Sequence, residues 1–117
     1  ACGVMVSESL SAADELAESG ISVSVVDMHT LKPLDCALVD QLASECGCIV
    51  TAEDHSVIGG LGGAVAEHLS VGQAVPLEMV GVRDRFGESG SPSELMSEFG
   101  LTSTDIQNAA RRAMERK

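Results

Sequence analysis

The feature that most constrains this chain is an apolar run that leads into two acids, a histidine and a cluster of glycines. The run ends at Ala52, Glu53-Asp54-His55 follow it, and glycines stand at positions 59, 60, 62 and 63. From Leu61 onward, apolar residues recur at helical spacing. This order predicts a strand, a compact loop and a helix start, an arrangement in which α/β proteins often place ligand sites.

Strand and helix patterns alternate along the rest of the chain. In the first helix we expect Val6, Leu10, Ala13 and Ala17 to face the core, with Leu16 widening that face. Helices are predicted over 4–19, 36–46, 60–70 and 92–99 and again after 102 or 103, and strands over 21–28, 47–52 and 77–82. The alternation predicts an α/β fold with a mostly parallel sheet that helices cover on both faces.

The composition excludes several classes of partner. The chain has 117 residues, which suits a single domain, and a formal net charge of -11 at pH 7. Nucleic acids and anionic membranes bind clustered positive charge, so we expect neither as a partner. Phe86 and Phe99 are the only aromatic residues, so the core is predicted to be aliphatic.

The cysteines and the first residues bear on the compartment. Cys2, Cys36, Cys46 and Cys48 form no CxxC pair, so reduced thiols are predicted rather than a disulfide framework. Cys46 and Cys48 lack a second pair at ligand spacing, so no metal site is predicted there. The first residues show neither a signal peptide nor a membrane span, which favours a cytoplasmic protein.

The glycine cluster allows two interpretations. Gly60 and Gly62 at a helix start offer backbone N–H donors and a favourable dipole, so an anion could bind there. The GxGxxG pattern fails, however, because Val65 stands at its third glycine. The interpretation we favour is that Gly59, Gly60, Gly62 and Gly63 permit close backbone packing at a domain or subunit contact.

The other candidate sites are His55, which follows two acids, and the loop after residue 82. Acid–base catalysis by His55 would need a substrate within reach, so a structural or interface role is favoured. Metal ligation by Glu53, Asp54 and His55 is disfavoured, because adjacent residues of a strand point to different sides.

The second loop carries alternating charges and one aromatic residue. It is interpreted either as solvated and tied by local ion pairs, or as an interface anchored by an exposed aromatic beside arginine. The residues concerned are Arg83, Asp84, Arg85 and Phe86.

Taken in series, these motifs resemble the C-terminal domain of transketolase-type enzymes that depend on thiamine diphosphate. The resemblance covers essentially the whole chain. The matching segments are 3–6 with 12–17, 20–23, 25–28, 31–35, 53–55 with 59–62, and 81–90 with 94–95.

The resemblance implies a three-layer α/β/α domain with a mixed sheet. In that fold an edge strand precedes a central strand that ends near residues 3–6, so the edge strand and most of the central strand are not represented in this sequence. The predicted strands at 21–28 and 47–52 would flank a gap. Residues 1–6 could enter it, another chain could fill it, or the sheet could rearrange; we expect self-association.

The resemblance also implies that catalysis and assembly belong to different domains of the enzyme. Thiamine diphosphate and a divalent metal belong to the other domains of such enzymes, so no cofactor and no catalytic residue is expected in this chain, which has no activity alone. Its implied role is dimerisation and domain assembly within a transferase that moves a two-carbon ketol unit between sugar phosphates. The alternatives are a freestanding α/β module that binds an anionic metabolite at the Gly59–Gly63 loop, and an inactive fragment.

Overall fold

The computed structural model describes residues 1–30, 32–83 and 90–117. In that part of the chain, five helices and two strands follow one another. They are α1 (Met5–Glu18), α2 (Cys36–Cys46), β1 (Ile49–Ser56), α3 (Leu61–Ser70), β2 (Leu77–Val82), α4 (Pro92–Glu98) and α5 (Ser103–Glu115). The predicted helices and the strand predicted over 77–82 are confirmed, with helix ends shifted by one or two residues. No described helix is both long enough and apolar enough to cross a membrane.

The two strands form a parallel sheet between two layers of helices, which confirms the predicted α/β class. Ile49 pairs with Leu77 and Ala52 pairs with Val80. Helices α1 and α5 pack on one face of the sheet, and α2 and α3 pack on the other. Each face has its own aliphatic core. The first contains Met5, Ala12, Ala52, Val80, Leu101, Ile106 and Ala109, and the second contains Met28, Val39, Ala43, Leu61, Val65 and Leu69.

The face of α1 that packs on the sheet differs from the predicted one. Met5, Ser9, Ala12 and Leu16 are buried, whereas Leu10 is 51% exposed. Both sets of residues recur at helical spacing, so periodicity alone does not separate them. The buried set includes Ser9, whose hydroxyl donates to the carbonyl of Met5 at 2.8 Å and so needs no partner outside the helix.

The predicted strand at 21–28 is wrong as a sheet strand. Residues 21–30 form no helix or strand. Their backbone is bound to Ala1, whose amino group donates to the Val26 carbonyl at 3.0 Å and whose carbonyl accepts from Met28 N–H at 2.8 Å. On its other side, Cys2 N–H donates to the Ala52 carbonyl at 3.1 Å. Ala1 and Cys2 therefore lie in the gap that the sequence predicts, and too few ladder bonds form to make 21–28 a strand.

An ionic cluster ties β2 to α5. Arg112 Nε donates to Glu78 Oε1 at 2.8 Å, and Arg116 donates to the other carboxylate oxygen. The hydrogen bond from Arg112, and then the two positive charges, hold the pKa of Glu78 below its ordinary value.

This lowered pKa predicts how stability depends on pH. A depressed folded-state pKa stabilises the fold above the unfolded pKa of about 4.3, and that contribution is lost as pH falls through the folded value. Urea unfolding from pH 7 to pH 3 should therefore show Glu78→Gln less stable than the parent near neutrality, with the gap closing in acid. Glu18→Gln, an exposed change on α1, is the control. A gap that stays constant with pH would contradict the argument.

Candidate functional site

The acids and the histidine after the apolar run lie within β1, not in a loop as predicted. β1 extends to Ser56, four residues past the predicted end. Ala52 pairs with Val80 and Ser56 pairs with Val82, so four residue steps on β1 match two on β2. Such a bulge bends a strand and redirects its side chains. Here it lies at residues 53–55 and separates one buried acid from two exposed residues.

Glu53 turns into the protein and caps α3. It is only 1% exposed. Its Oε1 accepts from Leu61 N–H at 2.9 Å and its Oε2 accepts from Gly62 N–H at 2.7 Å. The N-terminus of a helix leaves such N–H groups without partners inside the helix and carries partial positive charge. The Glu53 carboxylate therefore accepts hydrogen bonds from two of these N–H groups and places a negative charge at the positive end of the helix dipole.

The local sequence explains why a distant acid does this. Gly60 is the N-cap residue of α3 and has no side chain to cap it. A Cβ at Gly60 would lie 1.9 Å from Glu53 Oε1, so only glycine leaves room for the carboxylate. Gly81 on β2 also leaves room for Glu53, since a Cβ there would lie 2.7 Å from Val57 Cγ1 and 3.2 Å from Glu53 Cγ. Sequence reasoning missed this role of Glu53; a helix start with no capping residue was the available signal.

This arrangement bears on the two interpretations of the glycine cluster. The N–H groups of Leu61 and Gly62, which an external anion would use, already bind a carboxylate of the chain itself. Gly60 and Gly62 approach other atoms closely, and Gly59 has φ of 76°, a conformation that favours glycine. The close approaches at Gly60 and Gly62 are thus to atoms of the chain itself.

Asp54 and His55 are both exposed, so the simple alternation of a strand is interrupted here, where the bulge lies. His55 Nδ1 lies 3.1 Å from Asp54 Oδ1, and both side chains are exposed. Within the described ranges, no three His, Cys, Asp or Glu side chains lie close enough together to hold a metal ion.

The exposed residues at this end of the sheet form one surface, which we call the docking edge and define as Asp54, His55, Ile58 and Gly59. Ile58 is 72% exposed, so a large aliphatic side chain lies at the surface here. Arg83 follows β2 and donates to the Met79 carbonyl at 2.6 Å. The predicted interface residues Asp84, Arg85 and Phe86 lie outside the described residues.

A second surface is the groove beside β1. It has a volume of about 510 Å³, and aliphatic residues of 21–26, β1 and α5 line it. Ala1 lines this groove, and its neighbour in sequence is Cys2; burial and then the negative charge of Glu53 raise the pKa of the Cys2 thiol. A raised pKa keeps this thiol protonated at neutral pH, so it is a poor nucleophile.

The chain is similar to proteins of one family. The sequence model described as "Transketolase, C-terminal domain" matches residues 1–106. A 6-deoxy-6-sulfo-D-fructose transketolase subunit of Clostridium sp. (strain MSTE9) is 51% identical over 117 residues, which are 100% of this chain and 36% of that protein. A 1-deoxy-D-xylulose-5-phosphate synthase of Chlorobium luteolum is 46% identical over 107 residues, which are 91% of this chain and 17% of the synthase.

A solved structure agrees with these sequence matches. The inactive β4 tetramer of a split-gene transketolase superposes with a TM-score of 0.96 at 47% identity, over 99% of this chain and 38% of that one. The chain thus spans little more than a third of this structure and of the Clostridium relative. The fold, the sequence match and the relatives agree, and the chain belongs to the transketolase C-terminal domain family.

Proposed function

We propose that this chain is a non-catalytic part of a transketolase-type enzyme and serves dimerisation and domain assembly in the cytoplasm. Ketol transfer between sugar phosphates, with thiamine diphosphate and its metal, then belongs to the rest of the assembly. The observation that carries this proposal is the use of Glu53. Among the predicted site residues that the structure describes, Glu53 is the buried acid, and it binds the chain's own helix start, so it is committed to structure and not to a substrate.

The docking edge is the surface that we assign to this assembly. Ile58 offers an apolar anchor, and the neighbouring Asp54 and His55 offer polar contacts around it. An apolar centre with a polar rim is the usual organisation of a protein–protein interface. We also propose Arg83, Asp84, Arg85 and Phe86 as interface residues, as the sequence predicts.

Self-association is the oligomeric state that we propose for the isolated chain. The aliphatic groove beside β1 supports it, because one edge of β1 and the segment 21–26 face this groove with apolar side chains. An edge of a strand with few ladder hydrogen bonds, as β1 has on this side, favours pairing with another chain. Light scattering at micromolar concentration should report a mass above that of one chain, and a monodisperse monomer would contradict self-association.

The docking edge is tested by placing a charge on it. We expect Ile58→Asp to weaken assembly by about tenfold or more, because a desolvated carboxylate would replace the apolar anchor. Its thermal midpoint should stay near the parent value, since the Ile58 side chain is already exposed. The assay uses the Clostridium relative with its matched residues replaced by this chain, and it measures both oligomer mass and ketol transfer.

Val71→Asp is the matched control for this experiment. Val71 follows the C-terminal end of α3 and is 84% exposed, whereas Ile58 precedes the N-terminal end of the same helix. We expect Val71→Asp to leave oligomer mass and ketol transfer unchanged. Equal effects of the two substitutions, or none from either, would show that the docking edge is not the assembly surface.

A further inference from the structure

The negative charge of Glu53 is held in an unusual way. Among the described residues, no ion pair with a cation reaches this carboxylate, although it is 1% exposed. Its partners are the N–H groups of Leu61 and Gly62. A buried charge without compensation is costly, and these two bonds and the helix dipole compensate it, with a further electrostatic contribution from the Ala1 ammonium group. Glu53 therefore couples β1 to α3 more strongly than a neutral side chain would.

The loop that carries the docking edge is fastened at both ends by this arrangement. Val57 N–H donates to the Val82 carbonyl at 3.0 Å, and Ile58 N–H donates to Ser56 Oγ at 3.2 Å. At the other end, Glu53 holds the first turn of α3. The position of Ile58 is thus determined by β2 on one side and by the Glu53 carboxylate on the other.

We propose that Glu53 is a positioning residue for assembly, whose carboxylate charge fixes the docking edge in the shape that its partner binds. This inference rests on the proposed function and adds to it the group that controls the surface. Glutamine has nearly the same size as glutamate but carries no charge, so the Glu53→Gln variant tests the charge separately from the size. A glutamine amide would accept one N–H but turn its own NH₂ toward the other, which would leave two donors facing each other.

Chemical rescue separates charge from size. Glu53→Ala should leave a space beside the free N–H groups of Leu61 and Gly62, and acetate supplies a carboxylate that fits such a space. We expect acetate to raise the thermal midpoint of Glu53→Ala well beyond the effect of chloride at equal ionic strength. Acetamide, which has a similar shape without the charge, should raise it much less. Glu67→Ala, an exposed change on α3, should show no rescue.

Assembly provides the readout that a merely structural role would not move. In the Clostridium relative carrying this chain, Glu53→Ala should weaken assembly by about tenfold to a hundredfold, since two hydrogen bonds to a charged group are lost. Acetate should restore most of it. Rescue of the thermal midpoint without rescue of assembly would overturn the positioning role, and equal rescue by acetamide would overturn the role of charge.

Glu53→Gln keeps the inference falsifiable if the alanine variant fails to fold. We expect the amide nitrogen shifts of Ile58 and Gly59 in the isolated chain to move in Glu53→Gln, together with a loss of assembly in the chimera. Parent-like shifts and assembly would overturn the inference. The amide shifts report on Glu53 alone, so they stay informative even where Ile58→Asp shows that the docking edge is not the assembly surface.

Discussion

Replacing Gly60 with alanine is expected to lower the free energy of unfolding by about 2–4 kcal/mol. The new Cβ would lie 1.9 Å from Glu53 Oε1 and 2.8 Å from the Ser56 carbonyl oxygen. The carboxylate cannot stay where it is, so it loses the N–H groups of Leu61 and Gly62 while remaining buried. The carbonyl is part of the backbone and has little freedom to move aside. Chemical unfolding followed by circular dichroism measures the loss.

Gly63→Ala is the matched control for this prediction. Gly63 lies three residues further along, inside the first turn of α3, where a new Cβ would have only ordinary contact with the Val57 carbonyl at 3.7 Å. Alanine is a better helix former than glycine, so this change should stabilise the protein by about 0.5–1 kcal/mol. Opposite signs at two neighbouring glycines are expected. If both substitutions raise the free energy of unfolding, the prediction that a Cβ at Gly60 displaces the Glu53 carboxylate is contradicted.

The second large effect is expected for Leu16→Ala, which should lower the free energy of unfolding by about 2–5 kcal/mol. Leu16 is 1% exposed on the face of α1 that packs against the sheet. Truncation removes its buried methyl groups and leaves a space that the surrounding helices cannot fill. Urea unfolding should show a lower midpoint with an unchanged slope, because the folded state keeps its extent.

Leu10→Ala distinguishes between the two possible faces of α1. The two leucines lie on the same helix, but Leu10 is 51% exposed. Its truncation should change the free energy of unfolding by about 0.5 kcal/mol or less. A larger loss at Leu10 than at Leu16 would mean that the helix packs with the face that periodicity first suggested.

Much of the fold could be predicted from local pattern. The helix over 36–46 and the strand over 77–82 appear at their predicted positions, because apolar spacing and capping residues act within a few neighbours. Asp35 illustrates this: the sequence predicts it as a cap, and its Oδ1 accepts from Leu38 N–H at 3.1 Å. The strand at 21–28 was not predictable in this way, because a strand also requires a neighbour to pair with.

At the candidate site, too, the sequence predicts some features and leaves others to the tertiary structure. The sequence marks Glu53, Asp54 and His55 as one polar group after a strand, and it marks the glycines as a place of close packing. It does not show that a bulge turns Glu53 inward while its neighbours stay outside. That outcome depends on Gly81, which lies on the other strand and makes room for the Glu53 stem. Residues distant in sequence therefore decide which acid is buried.

By itself, the sequence determined the family, the order of the helices and of two of the three predicted strands, and the aliphatic nature of the core. These properties follow from residue type and short-range spacing, which fold topology does not alter. Only the tertiary structure decided which face of α1 is buried and what the glycine-rich helix start binds. Both depend on contacts between distant segments, because a buried carboxylate is stable only where another segment provides its hydrogen-bond donors. The loop that resembled an anion site is thus closed by an acid from the strand that precedes it.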